Sequence, residues 1–437
     1  MAWRASTVRR PARARAAALG VGATISSIAA RYRRVTSGAA TVAAVITEDE
    51  IRNALAEILT PRRADERMTT MGAGSDDLEP ARAYLASTVE GGWALPAWPR
   101  AFGGRDAEPE EVALINRVLR DFSVPDLYVY MIGLGMCGPA LLMHGSDEQQ
   151  QRWLPTIASG AEIWCQMFSE PEAGSDLANL ALRATRDGDE WTLEGQKVWT
   201  SRAVWARWGL CLARTDPEVP KHAGLTMFAV DMEAPGIEVR PLVQMNGDGH
   251  FSEVFLSGAR VPDAWRIGDI GAGWKVAMTV LAHERAAAGT NRGGGDGGIK
   301  GVRTPGWLRD LAGRDALRSP VARQRAMTIH ARDAAAGWTA DRASASRNPG
   351  PAGSGAKVHK TFSFQGRAYL DKDSRGAEGM LASHEGHVEF LTGPSMSIRG
   401  GTDEIQRNIL GERVLGLPSE PRVDRDIPWS KARKGEH

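Results

Sequence analysis

Glu284 is the one carboxylate in the run Gly273 to Ala288, whose only other charged or titratable side chains are Lys275, His283 and Arg285. A carboxylate in apolar surroundings is a candidate proton acceptor, because desolvation raises carboxyl pKa values toward neutrality. The ordinary alternative is a solvated Glu-Arg pair on a helix face. Two further segments carry residue types suited to an anion. Phe168-Ser169-Glu170-Pro171-Glu172-Ala173-Gly174-Ser175-Asp176 reads as a strand end followed by a glycine-containing turn. Such a turn brings backbone N–H groups and a hydroxyl toward a negative charge, although an Asx-type turn at Asp176 needs no ligand. In Arg399-Gly400-Gly401-Thr402-Asp403-Glu404-Ile405-Gln406-Arg407, Thr402 has the type of an N-cap, and Asp403 and Glu404 fall in the first helical turn. Helix starts also bind anions; simple capping is the alternative. Trp199-Thr200-Ser201 places a large aromatic and a hydroxyl two residues apart. Core packing is the default for tryptophan, and Trp191, Trp205 and Trp208 suit that role better.

The elements that must position these residues follow from periodicity. Ile46 to about Gly160 reads mostly helical: Thr47 with Glu50 three residues on is a capping box, and Glu110–Leu119 and Leu141–Ala158 repeat at helical spacing. Residues 163 to about 262 switch to strand period, with Asp187-Gly188 as a hairpin turn and strands at Leu225–Val230 and Ile237–Arg240. Helical spacing returns at Gly273. Ser319-Pro320 opens a helix through about Ser346, and the last helix runs from about Thr402 to Leu415. Gly289–Gly298 and Asn348–Gly355 read as flexible, Lys357–Gly379 is poorly patterned for a helix, and the tail from Pro418 reads as polar and frayed. The expected units are an extension over 1–45, a helical domain over 46–162, a β-domain over 163–265, a helical bundle over 266–418 and a tail over 419–437.

Three motifs, Phe168–Asp176, Gly195-Gln196-Lys197-Val198-Trp199-Thr200-Ser201 and Gly401–Arg407, occur in an order and at separations that resemble the acyl-CoA dehydrogenase family. The resemblance covers Ile46 to Leu415. It implies an α+β multidomain fold: an N-terminal helical domain, a middle β-domain and a C-terminal four-helix bundle. It also implies FAD as cofactor. Phe168 and Ser169 would line the isoalloxazine, with Gln166 at its pyrimidine edge, and the Gly174-Ser175 turn would contact the pyrophosphate through Ser175. Trp199 would cover the ring face, Ser201 would bond N5, and Thr402 and Glu404 would approach the adenosine. Glu172 stands where the family usually has glycine.

The implied reaction is α,β-dehydrogenation of an acyl-CoA thioester, with hydride passing to flavin N5 and electrons onward to electron transfer flavoprotein. Many relatives carry the base at the position of Gly400. A subgroup that includes isovaleryl- and long-chain acyl-CoA dehydrogenases carries it where Glu284 stands, next to an arginine that Arg285 matches. Glu284 is then the expected base, Gly400 offers its backbone N–H to the thioester oxygen, and Arg285 pairs with the CoA nucleotide or phosphate. An Arg-x-x-Phe-Gly segment common in the family is missing, and Gly294–Gly298 lies in that region. The absence is simple divergence or marks a chain completed by a related subunit. A non-catalytic subunit of a heteromer, and an oxidase or monooxygenase on the same scaffold, are the competing readings.

The bulk properties are those expected of a soluble globular protein. A net charge of +1 over 437 residues leaves no nucleic-acid footprint. No apolar run approaches the ~20 residues a membrane span requires. Three cysteines without a CxxC pair argue against a metal site or a disulfide framework and fit a reducing, cytoplasmic setting. A homo-oligomer (dimer or tetramer) or a heterotetramer is expected. Residues 1–47 hold eight arginines and no acid, which reads as a disordered extension or a misplaced start more readily than as a targeting peptide.

Overall fold

A computed structural model describes residues 46–63, 78–290, 304–344, 352–381, 385–421 and 423–434. The N-terminal extension, most of Gly289–Gly298 and the region of the missing motif lie outside these residues.

Helix α1 (Glu48–Ala56) starts at the capping box expected: Thr47 Oγ1 accepts from the Glu50 amide, and the Glu50 carboxylate accepts from the Thr47 amide. Helices α2 (Glu79–Thr88) and α3 (Pro109–Val118) have proline in their first turn, where the missing N–H costs nothing. The segment expected as one helix over Leu141–Ala158 is two, α4 (Gly138–His144) and α5 (Asp147–Ala158). Gly145 ends the first, its N–H bonded to Leu141 O. Ser146 caps the second in another capping box, with Gln149. A π-helical turn at Gly133–Cys137 leads into α4.

Eight strands follow: β1 (Trp164–Met167), β2 (Arg183–Asp187), β3 (Glu190–Ser201), β4 (Trp208–Arg214), β5 (Leu225–Asp231), β6 (Ile237–Leu242), β7 (Phe251–Pro262) and β8 (Arg266–Ile267). They form one sheet in the order β6-β7-β3-β2-β4-β5-β8, with β1 parallel to β4. Asp187 pairs with Glu190 across the expected hairpin, and Gly188 takes a left-handed φ of 62°. Every residue of β4 is buried, so this strand is the spine of the main core. Trp153, Trp164 and Trp208 pack edge-on and stacked there. Cys137, Cys165 and Cys211 are buried free thiols.

Helix α6 (Gly273–Thr290) begins against the sheet: a Cβ on Gly273 would come within 2.6 Å of Thr226 backbone atoms. The bundle continues with α7 (Gly306–Gly313), α8 (Pro320–Ser344), α9 (Ala352–Ser374), α10 (Glu385–Thr392) and α11 (Asp403–Arg413). Helix α9 corrects two expectations: a 23-residue helix occupies the region read as poorly patterned, and it starts inside the stretch read as flexible. Its buried face carries Ser354, Thr361 and Ser363 beside Ala368 and Leu370, so no apolar stripe marks it. It packs on α6, α8, α10 and α11.

The tail is also corrected. Beyond α11 a short helix α12 (Trp429–Ala432) packs against the loop between β4 and β5. Trp429 N–H bonds Val219 O, Ser430 N–H bonds Pro217 O, and Pro220 bridges Pro428.

Candidate active site

The first and last segments of the bundle meet at Glu284 and Gly400. Glu284 lies one turn after the fully buried Val280 and is itself half-buried. Gly400 and Gly401 both take left-handed backbone, φ 64° and 82°, which glycine adopts without strain. A Cβ on Gly400 would stand 3.8 Å from Glu284 Oε1. A Cβ on Gly401 would come within 2.4 Å of Gln406 Nε2, the atom that donates to Gly400 O at 3.2 Å. Gln406 is buried and so fixes the loop that faces the carboxylate. Thr402 caps α11, its Oγ1 accepting from Ile405 N–H. Glu404 is exposed and faces Arg407 at 3.7 Å. The side chain of Arg285 lies outside the described residues.

The second part is the end of β3. Between Lys197 and Thr200 this strand has one residue more than β7, where Val254 and Ser252 are the partners. The bulge turns Trp199 out of the alternation. Trp199 takes φ 58° and is 52% exposed, held edge-on against Phe251 at 5.7 Å. Left-handed backbone is costly at a bulky residue, and here the bulge and the contact with Phe251 hold it. Trp199 is therefore not core, whereas Trp191 and Trp208 are.

Beneath the bulge lies a buried pair that sequence reasoning missed. Lys197, fully buried, donates to Phe168 O and to Glu170 Oε1, both at 2.9 Å. The Glu170 carboxylate also accepts from the Ala181 and Leu182 amides at 2.7 and 2.9 Å. Val198 N–H bonds Ser169 O. The corner Phe168-Ser169 is thereby locked to the strand carrying Trp199. Lys197 lies in the Gly195–Ser201 segment two residues before Trp199, and that spacing is the signal the sequence carries. Gln166 and Ser169 are half-buried, Phe168 is buried, and the turn at Gly174-Ser175 is exposed, with open space where a Gly174 side chain would be.

The third part is built around Tyr128. Ser201 is half-buried at the end of β3. Burial pushes the Tyr128 phenol above its usual range, against the opposing charges of Arg202 and Arg399. Arg202 sits over the Tyr128 ring at 5.3 Å, and its amide bonds His250 O. His250 Nδ1 pairs with Asp248 at 2.6 Å, while its Nε2 is buried without a hydrogen-bond partner. Burial lowers the His250 pKa, opposed by Asp248. Arg399, directly before Gly400, is held below its usual pKa by burial. Tyr128 and His250 meet edge-on at 6.0 Å near the strand end, and Arg399 in the loop at Gly400 acts on both through its charge. Nothing in their local sequence marked them, because they come from three separate segments.

The arrangement offers an exposed indole face beside a hydroxyl, an exposed glycine-serine turn for an anionic group, and a half-buried carboxylate beside a side-chain-free backbone. A planar ring with an anionic tail suits the first two, and proton abstraction suits the third.

Comparison with known proteins agrees in order and extent. Residues 46–161 match the acyl-CoA dehydrogenase N-terminal domain, 165–258 the middle domain and 271–415 the C-terminal domain. The chain is 41% identical over 344 residues to acyl-CoA dehydrogenase FadE34 of Mycobacterium tuberculosis, covering 78% of this chain and 46% of FadE34. It therefore spans about half the length of that relative. It is 35% identical over 367 residues to acyl-CoA dehydrogenase IpdE1 of the same organism, covering 80% of this chain and 91% of IpdE1. Among solved structures, the ChsE4-ChsE5 complex from M. tuberculosis superposes with a TM-score of 0.65 at 26% identity, over 86% of this chain and 97% of that one.

Proposed function

The chain belongs to the acyl-CoA dehydrogenase family, and on that footing we propose that it removes the α-proton and a β-hydrogen from an acyl-CoA thioester, with Glu284 as the base. The observation that carries this reading is the 3.8 Å between Glu284 Oε1 and the position of a Gly400 Cβ. The carboxylate stands where a side chain on Gly400 would project. One carboxylate, supplied from α6, serves the space that two backbone segments border.

The residues fit FAD. Trp199, with its exposed indole, would cover the ring face, Phe168 and Ser169 would line the isoalloxazine, and Gln166 would hold its pyrimidine edge. Ser201 would bond the ring nitrogen, Ser175 and the open Gly174 turn would hold the pyrophosphate, and Thr402 and Glu404 would hold the adenosine. When bound, FAD supplies the two-electron acceptor, and electron transfer flavoprotein is the onward acceptor. The protein's own part is electrostatic and positional. Glu284 receives the α-proton. The Gly400 N–H stabilises negative charge on the thioester oxygen, a role that needs no side chain. The Lys197–Glu170 pair keeps the Phe168 corner and the Trp199 bulge in register, and Arg285 binds the CoA nucleotide or phosphate.

A related second subunit is the partner this reading favours. Support comes from the two-protein ChsE4-ChsE5 complex.

The test is an anaerobic absorbance titration with straight-chain, branched and steroid-derived acyl-CoA thioesters. Bleaching of the flavin band by one class supports the reading and names the substrate. A chain that binds FAD, alone or with its partner subunit, and is bleached by none of them contradicts it.

A further inference from the structure

The C-terminal segment 423–434 docks on the β-sheet where the turn carrying Ser175 is rooted. Its contacts converge there. Trp429 Nε1–H donates to Asn179 Oδ1 at 2.8 Å. The Arg214 guanidinium lies 4.3 Å from the centre of the Trp429 ring. Arg214 is buried and donates to Ala178 O and Leu180 O, so Trp429 and Arg214 grip residues 178–180 from two sides. Lys221 Nζ bonds both Asp176 oxygens at 3.1 Å and Asp424 at 2.6 Å. Arg433 reaches Glu172 at 3.0 Å.

The charges explain why the segment matters. The turn carries two carboxylates, Glu172 and Asp176, flanking Ser175, and uncompensated they would repel a diphosphate. Lys221 and Arg433 answer both, and Arg433 belongs to the tail. Glu172 occupies the position where the family resemblance leads one to expect glycine, and here it is the tail's own anchor.

We propose that residues 423–434 form a strap that positions the Ser175 turn for the cofactor's pyrophosphate, with Trp429 and Arg433 as positioning residues. The inference rests on the FAD reading of the site. Ending the chain at Leu417 or replacing Trp429 by Ala removes the Trp429 side of the grip, the bond to Asn179, and leaves Arg214 holding Ala178 and Leu180 alone. Arg433→Glu reverses one compensating charge, Arg433→Lys preserves it, and Glu172→Arg with Arg433→Glu restores the pair in the opposite sense.

Two measurements test the strap, both on the full chain with its partner subunit where one co-purifies. Hydrogen exchange without cofactor reads the turn itself: Trp429→Ala speeds exchange of the amides of residues 172–182 and leaves the β4–β5 amides unchanged. Release of FAD on dilution, followed by fluorescence, reads the function. Trp429→Ala and Arg433→Glu release FAD about tenfold faster, as loss of a cation–π and hydrogen-bond anchor implies. Arg433→Lys matches wild type, and the charge swap recovers most of the loss. Unchanged exchange and unchanged release in Trp429→Ala overturn the strap while leaving the FAD reading intact. A wild-type protein that holds no FAD overturns both.

Discussion

Glu284 and Gly400, 116 positions apart in sequence, share one place in the fold: the carboxylate oxygen of the first lies 3.8 Å from where the second would carry a Cβ. With Glu284 as the proposed base, the distance predicts that the role can be moved from one position to the other. Glu284→Gly should abolish turnover, by about a thousandfold or more. Adding Gly400→Glu to that variant should restore activity to within about a hundredfold of wild type, the penalty expected for a carboxylate about 1 Å out of place. Failure of the second change to restore anything, in a folded protein that binds FAD, would mean the two positions do not serve one reacting carbon.

Gly400→Ala separates backbone strain from chemistry. The space is open at 3.8 Å, but φ is 64°. Denaturant unfolding should show a loss of about 1 kcal/mol from the left-handed conformation alone. A loss several times larger would mean the loop is packed more tightly than its geometry indicates.

Lys197→Met should cost about 3–5 kcal/mol of unfolding free energy, because it leaves the Glu170 carboxylate buried without its cation. The double change Lys197→Met with Glu170→Gln should cost less than the sum, since the lone charge is then gone. Additive losses in the cycle would show that the two side chains are not coupled.

Acid should weaken the fold before carboxylates protonate. Burial lowers the pKa of His250, His283 and His144, Lys275 adding to the effect at His144. Below about pH 6.5 the unfolded chain takes up protons that these folded-state imidazoles refuse. Their contribution is thus full above 6.5 and declines as pH falls toward the lower folded-state values. The unfolding midpoint should drop between pH 7 and 5, and His250→Gln should flatten part of that slope. A second decline should follow near pH 4 to 2, where Asp263, held at about 2 by Arg266 and the Trp191 indole, loses its charge. A midpoint independent of pH from 7 to 5 would contradict the first assignment.

Much of this was legible in the sequence, and what was not has physical reasons. Thr47 with Glu50, Asp187-Gly188 and Ser319-Pro320 are local signals whose structures follow from backbone chemistry, and all three occur where expected. Helix α9 escaped because Ser354, Thr361 and Ser363 form much of its buried face, so its period carries little hydrophobic contrast. The tail escaped because a polar composition hides anchors made by one tryptophan and a few ion pairs. The bulge at Trp199 escaped because one extra residue in a strand leaves no compositional mark. Within the site, Glu284, Ser201 and Trp199 could be chosen from residue type and motif. Tyr128, His250 and Arg399 could not, since only the fold brings them together.

The most direct measurement is anaerobic stopped-flow reduction of the flavin by the substrate thioester in wild type and Glu284→Gln. The account predicts that the variant binds FAD and substrate as wild type does while the reduction rate falls by about three orders of magnitude. Reduction at the wild-type rate in Glu284→Gln would contradict the assignment of Glu284 as the base.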